Sequence, residues 1–321
     1  MTYILPSHRQ TFPLRQMTDD IAHVDLAANV SCRDDNYNEV DLRFDRDDQT
    51  AWCYLRPSSR PSFTEPLLRE LHIVQSLLED PVQTQEVFGS ADLKYFVLAS
   101  RSPGLFSLGG DLELFNKLIR ERNRTALRHY AYSCVEIGFR NSRGYKRGVI
   151  TIGLAQGDAL GGGFEGLLSC DLIFAERRAR FGLPEVLFSL FPGMGAHSFL
   201  TRRLGAAQAD RLIRSGKVYT AEELHALGLI EAVVEDGEGE RAVVDYIRRN
   251  TARHTAHSAM FKALRRTNPL TIEELRDIAD IWVETALQLT EQDLRRMGHL
   301  AAAQDRNRQR AAAAVPAIAA E

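Results

Sequence analysis

The apolar side chains of this chain recur with two spacings, one typical of strands and one typical of helices. Residues 39–45 alternate between polar and apolar side chains, and an Asp-Asp-Gln turn separates them from the strand-like run at 51–55. This pair of segments predicts a β-hairpin. Apolar runs at 95–100 and 149–152 predict two further buried strands.

Helical spacing of the apolar residues begins after the hairpin. The segment 62–65 (Ser-Phe-Thr-Glu) predicts a capping box, because the side chains at its two ends can each satisfy a free backbone N–H. Residues 196–216 and 220–229 predict amphipathic helices, and residues 240–304 predict an almost entirely helical region with a break at Pro269. The apolar face of the first helix comprises Leu67, Leu68, Leu71, Val74, Leu77 and Leu78.

Four segments of the chain differ in composition. Residues 1–37 mix proline, charge and short apolar patches, which predicts an extended arm. Residues 38–235 contain the predicted strands and form the main domain, which ends at a polar, glycine-containing hinge over residues 233–239. Residues 236–305 are predicted to form a C-terminal helical region, and the Arg- and Ala-rich residues 306–321 are predicted to be a disordered tail.

The composition indicates a protein with a substantial core and no general affinity for nucleic acid. Apolar residues make up 44% of the chain, which excludes global disorder. The formal net charge is −3 and the pI is near 6.3, so a nucleic-acid partner is not expected. Residues 1–20 lack the long apolar segment typical of a signal peptide, and no apolar run of about 18 residues occurs, so we expect no membrane insertion and a cytoplasmic location.

Four cysteines are scattered along the chain without CxxC or metal-ligand spacing. They are Cys32, Cys53, Cys134 and Cys170. Reduced thiols in a cytosolic protein are the expected state, and no metal site is predicted.

Two glycine-rich corners each follow a predicted strand and precede a predicted helix. The first contains Gly109 and Gly110 and ends at Asp111, a residue type that favours the helix N-cap. The second is the glycine triplet at 161–163. Glycine lets the backbone approach a ligand closely, and the first N–H groups of a helix have no partner within it. Each corner therefore suits a phosphate or a developing oxyanion, although a tight turn alone also explains either one.

Two glutamates lie in strongly apolar surroundings near the second corner. Glu165 falls in the first turn of the predicted helix, and Glu185 occurs in FGLPEVLF at 181–188. Burial raises the pKa of a carboxyl from about 4.3 toward neutrality, which suits a carboxyl pair to acid–base chemistry. Taken alone, Glu165 is also explained by the favourable position of an acidic residue in a first helical turn.

Several motifs occur around these residues in a fixed order: ALGGGFE at 159–165, the pair Cys170-Asp171, FGLPEV at 181–186 and FPGMG at 191–195. In these motifs the chain resembles the crotonase (enoyl-CoA hydratase/isomerase) superfamily, from about residue 38 to residue 234. The segments FSLGGDL at 106–112, LPEVLF and LFPGMGAHSF, together with Phe164, are similar to one branch, the diffusible signal factor (DSF) synthases.

The resemblance implies a fold and an assembly. The fold is α/β, a crotonase (ClpP/crotonase-like) fold of repeated ββα units followed by a C-terminal helical region. In that family the C-terminal region covers the acyl pocket and contributes to oligomerisation, so a homotrimer or a dimer of trimers is expected.

The resemblance also assigns roles to individual residues. The backbone N–H groups of Gly110 and Gly162 would form an oxyanion hole for a thioester, while Glu165 and Glu185 would transfer protons. By analogy Glu185 acts at the α-carbon and Glu165 acts on the water or the departing 3-hydroxyl. The substrate pocket is expected to include Leu160, Gly161, Met194 and Trp282, with ordinary packing as the alternative for Met194 and Trp282.

Three functions follow from this resemblance. The leading interpretation is a synthase that dehydrates a 3-hydroxyacyl-ACP and hydrolyses the thioester, releasing a cis-2-unsaturated fatty acid quorum-sensing signal. The first alternative is a catabolic enoyl-CoA hydratase, and the second is a non-catalytic binding protein of the same fold, with a sensor kinase as a partner. No cofactor is expected beyond the ACP phosphopantetheine or CoA that carries the substrate. Acyl length, double-bond geometry and the preferred carrier stay open.

A basic segment lies between the two corners. It contains Arg140, Arg143, Lys146 and Arg147. A solvated face is one interpretation, and a docking patch for an acidic carrier protein or a CoA phosphate is the other.

Overall fold

The computed structural model describes residues 14–15, 30–34, 37–89 and 91–314, and for 14–15, 30–34 and 303–314 it describes the backbone alone. The strands are β1 (Leu14–Arg15), β2 (Val30–Asp34), β3 (Val40–Asp45), β4 (Thr50–Leu55), β5 (Tyr95–Ser100), β6 (Leu105–Ser107), β7 (Ile150–Ala155), β8 (Asp158–Leu160), β9 (Leu172–Glu176), β10 (Arg180–Gly182), β11 (Val218–Thr220) and β12 (Ala232–Val234).

Helices connect these strands and dominate the C-terminal part. They are α1 (Glu65–Glu79), α2 (Pro81–Phe88), α3 (Leu112–Arg120), α4 (Arg124–Ser142), α5 (Gly162–Leu168), α6 (Ala196–Leu204), α7 (Ala206–Ser215), α8 (Ala221–Ala226), α9 (Gly239–Asn250), α10 (His254–Thr267), α11 (Ile272–Ala286) and α12 (Glu291–Ala314). Short 3₁₀ helices span Gly144–Lys146, Pro184–Phe188 and Thr251–Arg253.

The described strands form two sheets. The larger has the order β1-β2-β3-β4-β5-β7-β9-β12, and the smaller has the order β11-β10-β8-β6. In the larger sheet β1 to β4 pair antiparallel and the later strands pair parallel. The predicted hairpin is confirmed, with Val40 opposite Leu55 and Asp45 opposite Thr50. The predicted strand at 95–100 is also confirmed, and the one predicted at 149–152 spans Ile150–Ala155.

A unit of two strands and a helix repeats along the chain. β5, β6 and α3 form one unit, and β7, β8 and α5 form the next. β9 and β10 begin a third unit, which continues into the 3₁₀ helix Pro184–Phe188. Because β6, β8 and β10 pair side by side in parallel, the segments that follow them meet at one edge of the small sheet. The predicted α/β fold of repeated ββα units is confirmed.

Alternate residues of the central strands enter two different cores, as the pleat of a strand requires. In β5, Phe96 and Leu98 join the main core with residues of α1, α4 and α5. Tyr95 and Val97 point to the opposite face and pack with Val243 of α9. The large sheet is therefore covered on both faces. The main core lies on one face, and α9 packs on the other.

Two boundaries predicted from the sequence are wrong. The N-cap of α1 is Thr64, whose Oγ1 accepts a hydrogen bond from the Leu67 N–H at 3.4 Å, so the predicted cap at Ser62 does not form. Pro66 in the first turn fits this later start, because its missing N–H is not needed there. The predicted hinge begins later as well, since Val233 and Val234 belong to β12 and pair with β9.

The predicted ends of the chain also differ from the structure. α12 continues to Ala314, so residues 306–314 of the predicted disordered tail are helical, as the high helix propensity of alanine and arginine favours. Residues 315–321 and most of the predicted arm at 1–37 lie outside the described residues. Within that arm, β1 and β2 extend the large sheet.

The predicted amphipathic segment at 196–216 consists of two helices rather than one. α6 ends at Leu204, the following Gly205 has a φ of +76° that favours glycine, and α7 begins at Ala206. The cap predicted at Thr220 is confirmed as a capping box with Glu223. The break predicted at Pro269 falls between α10 and α11.

Candidate active site

Two neighbouring corners of the fold bring backbone N–H groups close together. Gly109 and Gly110 follow β6, while Gly161 and Gly162 follow β8, the strand that pairs with β6. A Cβ placed on Gly162 would lie 3.3 Å from the Gly110 nitrogen. In the described part of the chain neither the Gly110 nor the Gly162 nitrogen donates to a protein acceptor. Both N–H groups are therefore available to a ligand oxygen.

Backbone conformation and close packing explain why these positions are glycine. Gly109 and Gly161 have φ angles of +91° and +50°, a region that side chains disfavour. A Cβ on Gly161 would approach Glu185 Oε1 to 2.6 Å, and a Cβ on Gly163 would approach the Ser107 carbonyl oxygen to 2.6 Å. The absence of side chains at 161–163 therefore lets α5 pack directly against β6 and leaves space for the side chain of Glu185.

Glu165 is a fixed carboxylate inside the protein. It lies in the first turn of α5 and is 2% exposed. Its Oε1 accepts hydrogen bonds from the Met194 N–H at 2.8 Å and from the Ala196 N–H at 2.9 Å. Ala196 is the first residue of α6, so a free N–H at a helix start holds this carboxylate. The FPGMG segment therefore positions Glu165.

Glu185 is held much less tightly. It lies in the 3₁₀ helix Pro184–Phe188 and is half-buried. Its Oε2 is buried and has no hydrogen-bond partner among the described residues. The helix that carries it is followed by Ser189, whose hydroxyl donates to Asp293 of α12 at 2.8 Å. The backbone next to Glu185 is thus anchored, while its Oε2 has no fixed partner among the described residues.

Burial raises the pKa of both carboxyls above the ordinary value of 4.5. For Glu165 the loss of hydration is the largest cause, and the N–H groups of Ala196 and Met194 act in the opposite direction on its pKa. For Glu185 burial is again the largest cause, and the negative charge of Glu165 raises the pKa further. Of the two carboxyls, only Glu165 accepts hydrogen bonds from other described residues. When the pair carries a single proton, that proton therefore resides on Glu185.

One pocket contains both glutamates and both N–H corners. Its wall includes Gly110, Gly162, Glu165 and Glu185. Of the predicted pocket residues, the wall also contains Gly161, Met194 and Trp282.

The two bulkier predicted residues differ in how they form this wall. Trp282 is fully buried and packs edge-on against Phe115, with ring centroids 5.0 Å apart. Trp282 thus belongs both to the core and to the wall. Leu160 is outside the wall, and its carbonyl oxygen lies 2.6 Å from where a Cβ of Gly109 would be. The backbone of Leu160 therefore packs directly against Gly109 in the first corner.

A second, mostly apolar cavity adjoins Glu165 and both glycine corners. Its wall contains Gly110, Gly162, Glu165 and Met194, and it extends between α1 and α4. The further wall residues are Phe63, Leu68, Leu71, Val74, Gln75, Phe96, Leu98, Tyr130, Cys134, Ile137, Gly138, Asn141, Gly166 and Ser169. Glu165 and the two N–H groups thus border a mostly apolar space.

Sequence reasoning missed the residues of α4 that line this cavity. Tyr130 is the most consequential, because its hydroxyl accepts from the Asp111 N–H at 3.1 Å and donates to the Phe63 carbonyl at 2.5 Å. Tyr130, Cys134, Ile137 and Asn141 recur at three- and four-residue spacing, which indicates one face of a helix. That spacing identifies the face and leaves its function open, since any core helix has the same pattern.

The predicted basic segment divides between two environments. Arg143 and Lys146 line a separate groove together with basic residues of α6 and α10. Arg140 donates to Ser76 at 3.2 Å, and Arg147 donates to Thr84. Only half of the predicted patch therefore faces the groove.

The described residues show several further features that bear on chemistry. Cys53, Cys134 and Cys170 are free thiols. Within the described ranges no group of three or more His, Cys, Asp or Glu side chains is arranged to hold a metal ion. Among the described helices, none combines the length and apolarity that crossing a lipid bilayer requires.

Comparison with known proteins gives the same architecture. A probable enoyl-CoA hydratase from Rhizobium meliloti (strain 1021) is 43% identical over 83 residues, which are 26% of this chain and 32% of that protein. The chain thus matches about a third of that relative's length. The crystal structure of enoyl-CoA hydratase from Bacillus halodurans superposes with a TM-score of 0.66 at 24% identity, covering 82% of this chain and 100% of that one.

A human mitochondrial enzyme shares the fold as well. The delta3-delta2-enoyl-CoA isomerase superposes with a TM-score of 0.67 at 17% identity, covering 84% of this chain and 99% of that one. Proteins named for hydration and for isomerisation therefore share this fold, and the reaction must be argued from the site.

Stacked ββα units with two facing N–H corners place the chain in the crotonase superfamily. Residues 63–307 match the family described as enoyl-CoA hydratase/isomerase. The match covers more than half of the chain, so the chain belongs to that family.

Proposed function

We propose that this protein is a lyase that adds water to, or removes it from, the C2–C3 bond of a fatty acyl thioester. The observation that carries the proposal is the meeting of two glutamates with raised pKa values and two free N–H groups in one pocket. An enolate formed from the thioester places negative charge on its oxygen, and two such donors stabilise it.

The two glutamates suit the two proton transfers of hydration. Glu165 is the more easily ionised carboxyl, so it removes a proton from water while the oxygen bonds to C3. The electron pair of the C2–C3 double bond moves to the thioester oxygen, which the Gly110 and Gly162 N–H groups hold. Glu185, which keeps the shared proton, then delivers it to C2. Dehydration runs through the same steps in reverse.

The apolar cavity between α1 and α4 supports a fatty acyl substrate. Its wall is built from aliphatic and aromatic side chains such as Leu71, Val74 and Ile137. Burial of an alkyl chain there is favourable by about 0.8 kcal/mol per CH₂ group. We propose acyl-CoA as the carrier form, with acyl-ACP as the alternative.

A second candidate is the synthase reaction of the DSF branch. In it, dehydration of a 3-hydroxyacyl-ACP is followed by attack of water on the thioester carbon, which releases the carrier thiol and a cis-2-unsaturated acid. The resemblance of FSLGGDL, LPEVLF and LFPGMGAHSF to that branch favours this reaction. The same oxyanion hole would serve the hydrolysis, with a glutamate activating the water.

Mass spectrometry of the products tests both proposals together. Purified protein receives 3-hydroxyacyl and 2-enoyl thioesters on CoA and on ACP. Interconversion of the two thioesters, lost by about 10²–10⁴ in Glu165→Ala and in Glu185→Ala, is the expected result for the lyase. Release of a free unsaturated acid identifies the second reaction. Glu238→Ala, which changes an exposed glutamate, is the matched control.

Interconversion that persists unchanged in both glutamate variants contradicts the proposed mechanism. Absence of interconversion and of acid release in the wild-type protein contradicts the proposed function.

A further inference from the structure

The apolar cavity next to the catalytic groups ends in a polar cluster. At the catalytic end it is lined by Gly110, Gly162 and Glu165. At the other end it is lined by Gln75 and Asn141, which are 2% and 1% exposed. An alkyl chain that fills this cavity would therefore finish among amide groups and not among aliphatic side chains.

The length of the cavity follows from helix α5. Gly162 lies at the catalytic end, and Ser169, whose Oγ accepts from Asn141, lies at the polar end. Seven residues of helical rise separate them, which corresponds to about 10 Å. An extended chain advances roughly 1.2 Å per bond, so about nine bonds span this distance.

The polar cluster is tightly bonded internally. Gln75 Nε2 donates to the Ile137 carbonyl at 3.0 Å and to Asn141 Oδ1 at 2.9 Å. Asn141 Oδ1 also accepts from the Tyr145 hydroxyl at 2.6 Å, and Asn141 Nδ2 donates to Ser169 Oγ at 3.1 Å. The orientation of both amides is therefore determined, because rotating either one would break these bonds.

One acceptor in the cluster is left over. Gln75 Oε1 is buried and has no hydrogen-bond partner within the described part of the chain. Because both N–H groups of Gln75 are engaged, its remaining oxygen cannot exchange places with the nitrogen without losing two bonds. Leaving a buried acceptor unpaired is unfavourable, and a methyl group placed against it does not relieve this.

We propose that this end of the cavity is a binding subsite for a hydroxyl group at the far end of the acyl chain, with Gln75 Oε1 as its acceptor. The inference rests on the proposed function, since it takes the cavity as the acyl site. It narrows the substrate class to fatty acyl thioesters that carry a terminal hydrogen-bond donor. Gln75 is then a specificity residue that contacts the substrate far from the reacting atoms.

Paired substrates test the subsite. Each pair consists of two 2-enoyl-CoA thioesters of equal length, about 8 to 12 carbons, one ending in a methyl group and one in a hydroxyl group. At the best length the hydroxyl-ended substrate is expected to have a kcat/KM at least about tenfold higher, through a lower KM, because the contact is the same in ground and transition states.

The substitution Gln75→Met removes the acceptor and keeps the side-chain length. It is expected to abolish the preference by raising KM for the hydroxyl-ended substrate about tenfold, while kcat changes little. Gln85→Met makes the same change at an exposed position of α2 and should leave the preference intact. Equal kcat/KM values for the two substrates at every length in the wild-type protein overturn the inference.

A binding measurement separates this inference from the proposed function. Thermal shift of the wild-type protein is recorded with the free ω-hydroxy acids and with the unsubstituted acids of equal length. A larger shift with the hydroxy acids supports the subsite even if neither thioester is converted. A larger or equal shift with the unsubstituted acids contradicts it, whether or not the thioesters are hydrated.

Discussion

Glu165 and Glu185 share one pocket but are held in different ways. Glu165 is fully buried, and its Oε1 accepts two backbone N–H groups from the loop at 194–196. Glu185 is half-buried on a short 3₁₀ helix, and its buried Oε2 has no partner among the described residues. The protein alone orients the first carboxyl, whereas under the proposed function the second acquires its partner from the substrate.

This difference explains how one pocket can contain two carboxyls of unequal pKa, as the proposed acid–base mechanism requires. Burial raises the pKa of both carboxyls, and Glu185 is the less deeply buried of the two, so burial does not explain why Glu185 keeps its proton longer. The separation comes from the hydrogen bonds that Glu165 receives and from the charge that Glu165 exerts on Glu185. The backbone of the FPGMG segment therefore decides which glutamate ionises first.

Shortening each glutamate by one CH₂ group should have the largest effect and should be unequal. Glu165→Asp withdraws the carboxylate from two fixed donors and from the reacting atoms, so we expect a loss in kcat/KM of about 10²-fold. Glu185→Asp should lose only about tenfold, because a carboxyl without fixed partners can adjust its position. Steady-state hydration of a 2-enoyl thioester measures both. Equal losses would show that the two carboxyls are equally constrained.

Removing one of the two N–H groups that donate hydrogen bonds to Glu165 should raise the pKa of Glu165 toward that of Glu185. Replacing the Ala196 amide by an ester, with the α-hydroxy analogue of alanine at this position, deletes an N–H at the first position of α6 without placing a proline ring at a buried site where Gly195 has a ψ of −4°. Since that N–H lowers the Glu165 pKa, the pKa should rise and the limb of the pH–rate profile that reports its ionisation should move to higher pH.

A rate loss of about tenfold, or ~1.4 kcal/mol, is expected in the Ala196 ester variant at neutral pH. The same ester at Ala206 is the matched control, because Ala206 also begins a helix after a glycine and lies at an exposed position. An unchanged pH profile in the Ala196 ester variant, with circular dichroism showing a native fold, would contradict the role given to this donor.

The smallest expected effect is on stability. The pKa of Glu185 is raised in the folded protein, so its contribution to stability is fully present below the unfolded pKa of about 4.5 and is lost as the pH rises through the folded value. Glu185→Gln stays neutral and avoids this loss. The melting temperature of the variant should therefore gain about 2–4 °C on wild type between pH 5 and pH 8. A constant difference across this range would argue against a raised pKa.

Features that depend on local sequence could be predicted. The two glycine corners and the two glutamates were predicted from residue types next to strands and helix starts, because backbone freedom and first-turn N–H groups are local properties. Their meeting in one pocket could be expected only through the family resemblance. Local periodicity also predicted the hairpin and the Thr220 cap.

Features that depend on distant contacts could not be predicted. Phe63 is held in an extended bridge with Gly110, and its N–H donates to the Gly109 carbonyl at 2.8 Å, so α1 begins only after Thr64. The residues 232–234 form a strand because β9 offers an unpaired edge. The polar end of the cavity depends on Gln75 and Asn141, which belong to different helices.

The Tyr130 hydroxyl connects two parts of the molecule that have different tasks. It joins α4, which walls the cavity, to the Asp111 N–H next to Gly110 and to the Phe63 carbonyl. A chain too long for the cavity would push α4 outward and would move the hydroxyl that fixes the first N–H corner. Under the proposed function, the fit of the distant end of the acyl chain would therefore affect the N–H groups that hold the enolate oxygen, and acyl length would influence catalysis as well as binding.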